Sequence, residues 1–133
     1  MTTYKILGWD DSINNAVLFT PWSLIHFLSG YTGMNYVNYF KINKDLGVVI
    51  LLIIHTIYEI KDWYFSYMYK GPQNAFTKWS SDNSLYNCFA DTIVFILGVR
   101  AAINNDYSTN RLIITTFLFL LLVYLFGSFK NIY

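Results

Sequence analysis

The chain has 133 residues, which is enough for one domain. Charged residues make up only 13% of it, about half the share of an average soluble domain, and the mean hydropathy is +0.35. A small soluble domain needs more polar surface than this composition can supply. A net charge of +1 without a basic run is untypical of nucleic-acid binders, and the lone Cys88 excludes an internal disulfide.

The first 19 residues are too polar to cross a bilayer, and we expect them to form a short surface or interfacial segment. Their polar residues include Asp10, Asp11, Asn14 and Asn15. A first helix is predicted over residues 21–39, because Thr20 is a favourable N-cap and Pro21 suits the first helical position.

Three further apolar segments follow, and a bilayer requires roughly 20 such residues per helix. We predict helices over residues 46–67, 83–102 and 111–127. The first two predicted helices are joined by a short loop and should therefore be antiparallel neighbours. The predicted fold is an all-α, polytopic, four-helix membrane bundle in a single transmembrane domain.

Polar residues recur on one stripe of each of the first three predicted helices. Spacings of three and four place such residues on the same helical face. The stripes contain His26, Gly30 and Gly33 on the first helix, His55, Glu59 and Asp62 on the second, and Asn83, Asn87 and Asp91 on the third. The small residues would let a neighbouring helix approach closely.

An ionisable group inside a spanning helix costs at least a few kcal/mol, so it should face protein or water. We therefore expect these stripes to converge on a polar pocket near one membrane face. The candidate catalytic residues are His55, Glu59 and Asp91, and the candidate binding residues are His26, Asn87, Ser84 and Asp62. Two interpretations without a functional site remain: the groups lie solvated at the membrane surface, or they form interhelical hydrogen bonds.

Such a cluster could serve as a general base or hold a divalent metal. The metal signal is weak, because the HxxxE spacing of the second helix is not the HExxH of zinc hydrolases. The residues do not decide between an enzyme and a binding protein. A membrane lipid is the expected partner, nucleic acid is not, and homo-oligomerisation is left open.

Three sequence stretches, PWSLIHFLSG, HTIYEIKD and NSLYNCFADTIVFILG, occur in this order. Together they resemble the VanZ-like group and the neighbouring YjdF-like family of bacterial inner-membrane proteins; similar small proteins also occur in large DNA viruses. The resemblance covers about residues 20–98, and Asn83 and Cys88 depart from its pattern. The matching positions are His26, His55, Glu59, Ser84, Asn87, Asp91 and Gly98.

The resemblance implies a multi-pass membrane protein that binds or acts on an envelope lipid head group or a lipid-linked substrate. One alternative is a non-catalytic structural component of a virion or organelle membrane. The other is a small proton or ion pathway, which ranks last because the fourth predicted helix contributes no comparable polar group.

Overall fold

The computed structural model describes residues 1–9, 11–72, 74 and 83–130, with side chains through residue 128. Most of this part of the chain is helical, which confirms the predicted class. The elements are β1 (Thr3–Leu7), β2 (Asn15–Phe19), α1 (Pro21–Tyr39), α2 (Lys44–Trp63) continued by a π-helical turn (Tyr64–Met68), α3 (Leu85–Ala102) and α4 (Thr109–Lys130). Asp10, which we assigned to the polar N-terminal segment, lies outside the described residues.

The N-terminal segment contains two strands that the sequence analysis did not predict. β1 and β2 pair in parallel, with Thr3 opposite Asn15 and Leu7 opposite Phe19. β1 is fully exposed, whereas Ala16 and Val17 of β2 are buried. The segment therefore has regular structure, with an exposed β1 and a partly buried β2, because its β-prone residues pair with each other.

Helix α1 begins where the sequence predicted it. The Thr20 hydroxyl accepts a hydrogen bond from the Trp22 amide at 3.2 Å, and the Ser23 hydroxyl accepts one from the Thr20 amide, also at 3.2 Å. The Thr20 hydroxyl also accepts from the Ser23 amide, so Thr20 and Ser23 form a reciprocal capping box, which satisfies amides that a helix N-terminus otherwise leaves without partners.

Helix α1 packs against the other three helices, most extensively against α3. Contacts at both ends show that α3 runs parallel to α1, since Ser23 contacts Asp91 and Asn38 contacts Ala102. Helix α4 runs antiparallel to α1, because Trp22 contacts Phe126 and Tyr36 contacts Thr116. Helix α2 is also antiparallel to α1, because Gly47 lies against Val37 and Glu59 lies beside His26, so the chain forms an up-and-down bundle.

Two glycines allow the close crossing of α1 and α3. A Cβ on Gly30 would collide with the Phe95 carbonyl oxygen, and one on Gly98 would collide with the Phe27 carbonyl oxygen. This confirms that small residues on the stripes permit close approach. The apolar core lies between α1 and α3 next to this crossing and consists of Met34, Val37, Phe95, Val99 and Ala102.

Among the described residues, two helical segments are long and apolar enough to cross a membrane by length and composition. They are Leu85–Ala102 in α3 and Thr109–Ser128 in α4. Large aliphatic side chains are nevertheless exposed on α2 as well, including Val49, Ile53 and Ile57.

Substituting Gly98 with alanine should lower the free energy of unfolding by about 1–3 kcal/mol, because the new methyl group meets backbone that cannot move alone. Gly33→Ala is the matched control. Its Cβ would meet only the Leu51 side chain, which can rotate, so we expect a change below about 1 kcal/mol. Unfolding in detergent followed by circular dichroism measures both, and equal losses would contradict the proposed crossing.

Candidate functional site

His26 lies at the point where α1, α2 and α3 meet. Its Nδ1 is 3.6 Å from Oε1 of Glu59 on α2, and its Nε2 is 3.4 Å from Oδ2 of Asp91 on α3. All three side chains are buried. The imidazole thus bridges two carboxyl groups from different helices, and the predicted convergence of the stripes occurs at this ring.

His55 is the second imidazole of the cluster. Its Nε2 is 3.6 Å from Oε1 of Glu59 and 3.1 Å from the Thr92 hydroxyl. Thr92 already donates its only hydroxyl proton to the Cys88 carbonyl at 2.8 Å, so it can only accept from His55. Nε2 therefore carries the proton in this arrangement. The ring also stacks on Phe95 at a centroid distance of 4.2 Å, which fixes its plane.

Asp91 is the most deeply buried ionisable group of the cluster, with 1% of its surface exposed. The Ser23 hydroxyl donates to its Oδ1 at 2.6 Å, while Oδ2 faces His26. Both oxygens of this carboxyl group therefore have a polar neighbour on α1, and the side chain is held in one orientation.

Glu59 is buried with 8% exposure, and neither of its carboxyl oxygens has a hydrogen bond of ordinary geometry. The two imidazoles lie near it at 3.6 Å, and the thiol of Cys88, a weak donor, also faces it. Burying a carboxyl group without hydrogen bonds costs free energy. Glu59 thus has accepting capacity that the described residues do not use.

The site lies close to one end of the bundle. His26 is in the second turn of α1, Asp91 is in the second turn of α3, and Glu59 is one turn before the end of α2. At 1.5 Å per residue, these positions are roughly 6–9 Å from the helix ends. Asp62 is also buried, one turn nearer the end, where its Oδ1 is 2.7 Å from the Lys61 ammonium.

Asp11 attaches the N-terminal segment to this end of the bundle. Its carboxyl group accepts hydrogen bonds from the Val17 amide at 2.6 Å and from both the amide and the hydroxyl of Ser84, the latter at 2.8 Å. Burial raises the pKa of Asp11, and these hydrogen bonds oppose that effect. β2 is therefore held against the start of α3, beside the site.

Two predicted binding residues serve this attachment rather than the cluster. Ser84 is the N-cap of α3, and its hydroxyl donates to Asp11. The side-chain NH₂ group of Asn87 donates to the Leu18 carbonyl at 3.0 Å. Their hydrogen bonds in the described part of the chain are made with the cap and the N-terminal segment. The Asp11 carboxyl group and the Leu18 carbonyl, both in a segment distant in sequence, already occupy these two side chains.

Sequence reasoning missed three residues that shape the site. Ser23 precedes His26 by one turn, so its position on the same stripe could have revealed it. Thr92 is adjacent to Asp91 and follows Cys88 by one turn, but nothing local distinguishes it from a threonine that bonds only to its own helix. Asp11 has no local signal, since its partner Ser84 is far along the chain.

Comparison of the chain with protein-family models, with curated proteins and with solved structures gave no match. The resemblance to VanZ-like proteins therefore stays a prediction.

Replacing Asp11 with asparagine should weaken the attachment of the N-terminal segment. An asparagine has one acceptor oxygen and would turn an NH₂ group towards amide or hydroxyl donors, so we expect a loss of about 1–3 kcal/mol. Limited proteolysis should cleave the segment faster, and the Tm should fall. Asp106→Asn, at an exposed position, is the control. Equal protection of the segment in both variants would refute the attachment by Asp11.

Proposed function

We propose that the protein is a multi-pass membrane protein whose four helices all span the bilayer. We further propose that it binds the polar head group of an envelope lipid, or a lipid-linked substrate, between α1, α2 and α3. The observation that carries this proposal is the reversed polarity of the bundle. Ionisable side chains are buried between the helices, and aliphatic side chains cover the outside.

Helix α2 shows this reversal most clearly. Its face towards the bundle carries His55 and Glu59, both buried, whereas Ile53 and Ile57 on the opposite side are 54% and 62% exposed. A helix on the surface of a soluble protein has the opposite arrangement. In a bilayer the exposed aliphatic face contacts lipid, and the ionisable groups are shielded inside the protein. This pattern supports a spanning α2, even though the charged residues near its two ends make it more polar than α3 and α4.

Helix α4 supports the same environment. Between Leu112 and Ser128 it contains no ionisable residue except Tyr124, and most of its large apolar side chains are exposed. The Thr115 hydroxyl donates a hydrogen bond to the Arg111 carbonyl at 2.9 Å, and the Thr116 hydroxyl is hydrogen-bonded to the Tyr36 hydroxyl at 3.0 Å. Its polar groups are thus satisfied within the protein, as a lipid-facing helix requires.

The depth of the site suits a lipid head group. It lies one to two turns below the helix ends, next to the exposed aromatic residues Trp63, Tyr64 and Tyr67, which are typical of a membrane interface. Glu59 offers acceptor oxygens there, so it favours a head group that carries N–H or O–H donors. The resemblance to envelope-associated VanZ-like proteins agrees with this substrate class.

The substitution Ile53→Lys should lower the fraction of the protein that is stably inserted in the membrane. The side chain would project from the middle of α2 into hydrocarbon, at a cost of about 2.5–3.5 kcal/mol. Ile6→Lys is the matched control, because Ile6 is 68% exposed on β1, outside the proposed spans. The measurement is the carbonate-resistant membrane fraction after expression. Equal membrane retention of the two variants would be evidence against a spanning α2.

Head-group binding can be tested on the protein in nanodiscs of phosphatidylethanolamine and phosphatidylcholine in equal parts, with a chelator present. Native mass spectrometry should show retained phosphatidylethanolamine, whose ammonium group has N–H donors. Glu59→Gln should reduce this retention at least about tenfold, since a hydrogen bond to a charged group contributes about 1.5–3 kcal/mol. Asp106→Asn should leave it unchanged. Retention that is the same in Glu59→Gln, or that shows no lipid preference, would contradict the proposal.

A further inference from the structure

We infer that His26, His55 and Glu59 form a binding site for a divalent transition-metal ion such as Zn²⁺, and that Asp91 positions His26 for it. Each residue offers one ligand atom, and these three atoms lie within 4.8 Å of one another. The inference goes beyond head-group binding and does not depend on it.

Two of the three separations between ligand atoms are close to those of a metal centre, and the third lies within 4.8 Å. Nδ1 of His26 and Nε2 of His55 are each 3.6 Å from Oε1 of Glu59. Four-coordinate zinc with bonds of about 2.0–2.1 Å places its ligand atoms roughly 3.3–3.4 Å apart. Side-chain movements of a few tenths of an ångström bring both imidazoles to these distances from Glu59.

The orientation of His26 matches that of a metal ligand with a supporting carboxylate. One ring nitrogen faces the other two ligands, and the opposite nitrogen faces Asp91 at 3.4 Å. Metal-bound histidines usually donate their second N–H to such a group, which fixes the tautomer. Ser23 in turn holds Asp91 with a hydrogen bond of 2.6 Å.

The carboxyl group of Glu59 supports the metal site independently of the distances between the ligand atoms. Its side chain is nine-tenths buried, and its carboxyl oxygens lack ordinary hydrogen bonds although Oε1 is aimed at both imidazoles. A bound cation would supply the missing interaction. Two imidazole nitrogens and one carboxylate oxygen are a donor set that suits zinc and related metals and leaves a fourth coordination position open.

Metal binding requires one change at His55. Its proton, now on Nε2 and donated to Thr92, must move to Nδ1 by exchange with solvent, so that Nε2 coordinates the ion as part of a neutral imidazole. The Thr92 hydroxyl can keep its own hydrogen bond to the Cys88 carbonyl. The Cys88 thiol faces Glu59 but does not belong to the set of three ligand atoms.

The experiment uses the full chain without a histidine tag, because the sequence has only two histidines and both are proposed ligands. The protein is purified in a phospholipid-free detergent, stripped with a chelator and titrated with Co²⁺. We expect one Co²⁺ per chain, with the intense visible absorption of four-coordinate cobalt and no thiolate charge-transfer band. Zn²⁺ should displace the Co²⁺ and protect both histidines from diethyl pyrocarbonate.

Variants then test the individual residues. His55→Ala and Glu59→Gln should each lower the Co²⁺ affinity at least about tenfold. Asp91→Asn should keep the stoichiometry but lower the affinity by about 10–100-fold, as expected for a positioning residue. Asp106→Asn should bind like the wild type. Circular dichroism confirms that each variant is folded.

The site is refuted if the wild type binds no Co²⁺ and its histidines gain no protection from Zn²⁺. Unchanged affinity in both His55→Ala and Glu59→Gln would refute it as well. Because this titration contains no phospholipid and the head-group measurement contains a chelator, each proposal can fail without the other.

Discussion

The close contact between α1 and α3 determines the rest of the arrangement. Gly30 and Gly98 bring the two backbones together, and this proximity lets the Ser23 hydroxyl reach Asp91 and His26 lie between Asp91 and Glu59. With larger residues at the glycine positions, the helices would separate and the hydrogen bond and the bridging imidazole would be lost. The positions of the ionisable side chains therefore depend on the same close packing that the glycines allow.

Burial of so many ionisable groups has an energetic consequence. Each removes a polar group from water, and only part of this cost is offset by contacts such as Ser23 with Asp91 or His55 with Thr92. At Glu59 part of this cost is not offset, because both of its carboxyl oxygens lack ordinary hydrogen bonds. Sites that bind ligands commonly carry such a cost in the absence of the ligand. The same carboxyl group is therefore central to both the head-group and the metal proposal.

The N-terminal segment packs against the start of α3, at the end of the bundle where the site lies. Asp11, Ser84 and Asn87 join β2 to the start of α3 by hydrogen bonds. The pairing of the strands and the attachment by Asp11 depend on contacts between residues far apart in sequence. No periodicity within the segment could indicate them.

The sequence by itself determined the helical class, the start of α1 at Thr20 and the sharing of one face by His55 and Glu59, because these follow from local preferences and from 3.6 residues per turn. It also indicated that His26 and Asp91 would face a neighbouring helix, since ionisable groups avoid an apolar exterior. Only the tertiary structure decided that His26 lies between Glu59 and Asp91, while Asn87 turns to Leu18. Those choices depend on how the helices are rotated and how deeply they cross, and a pattern along one helix does not specify either.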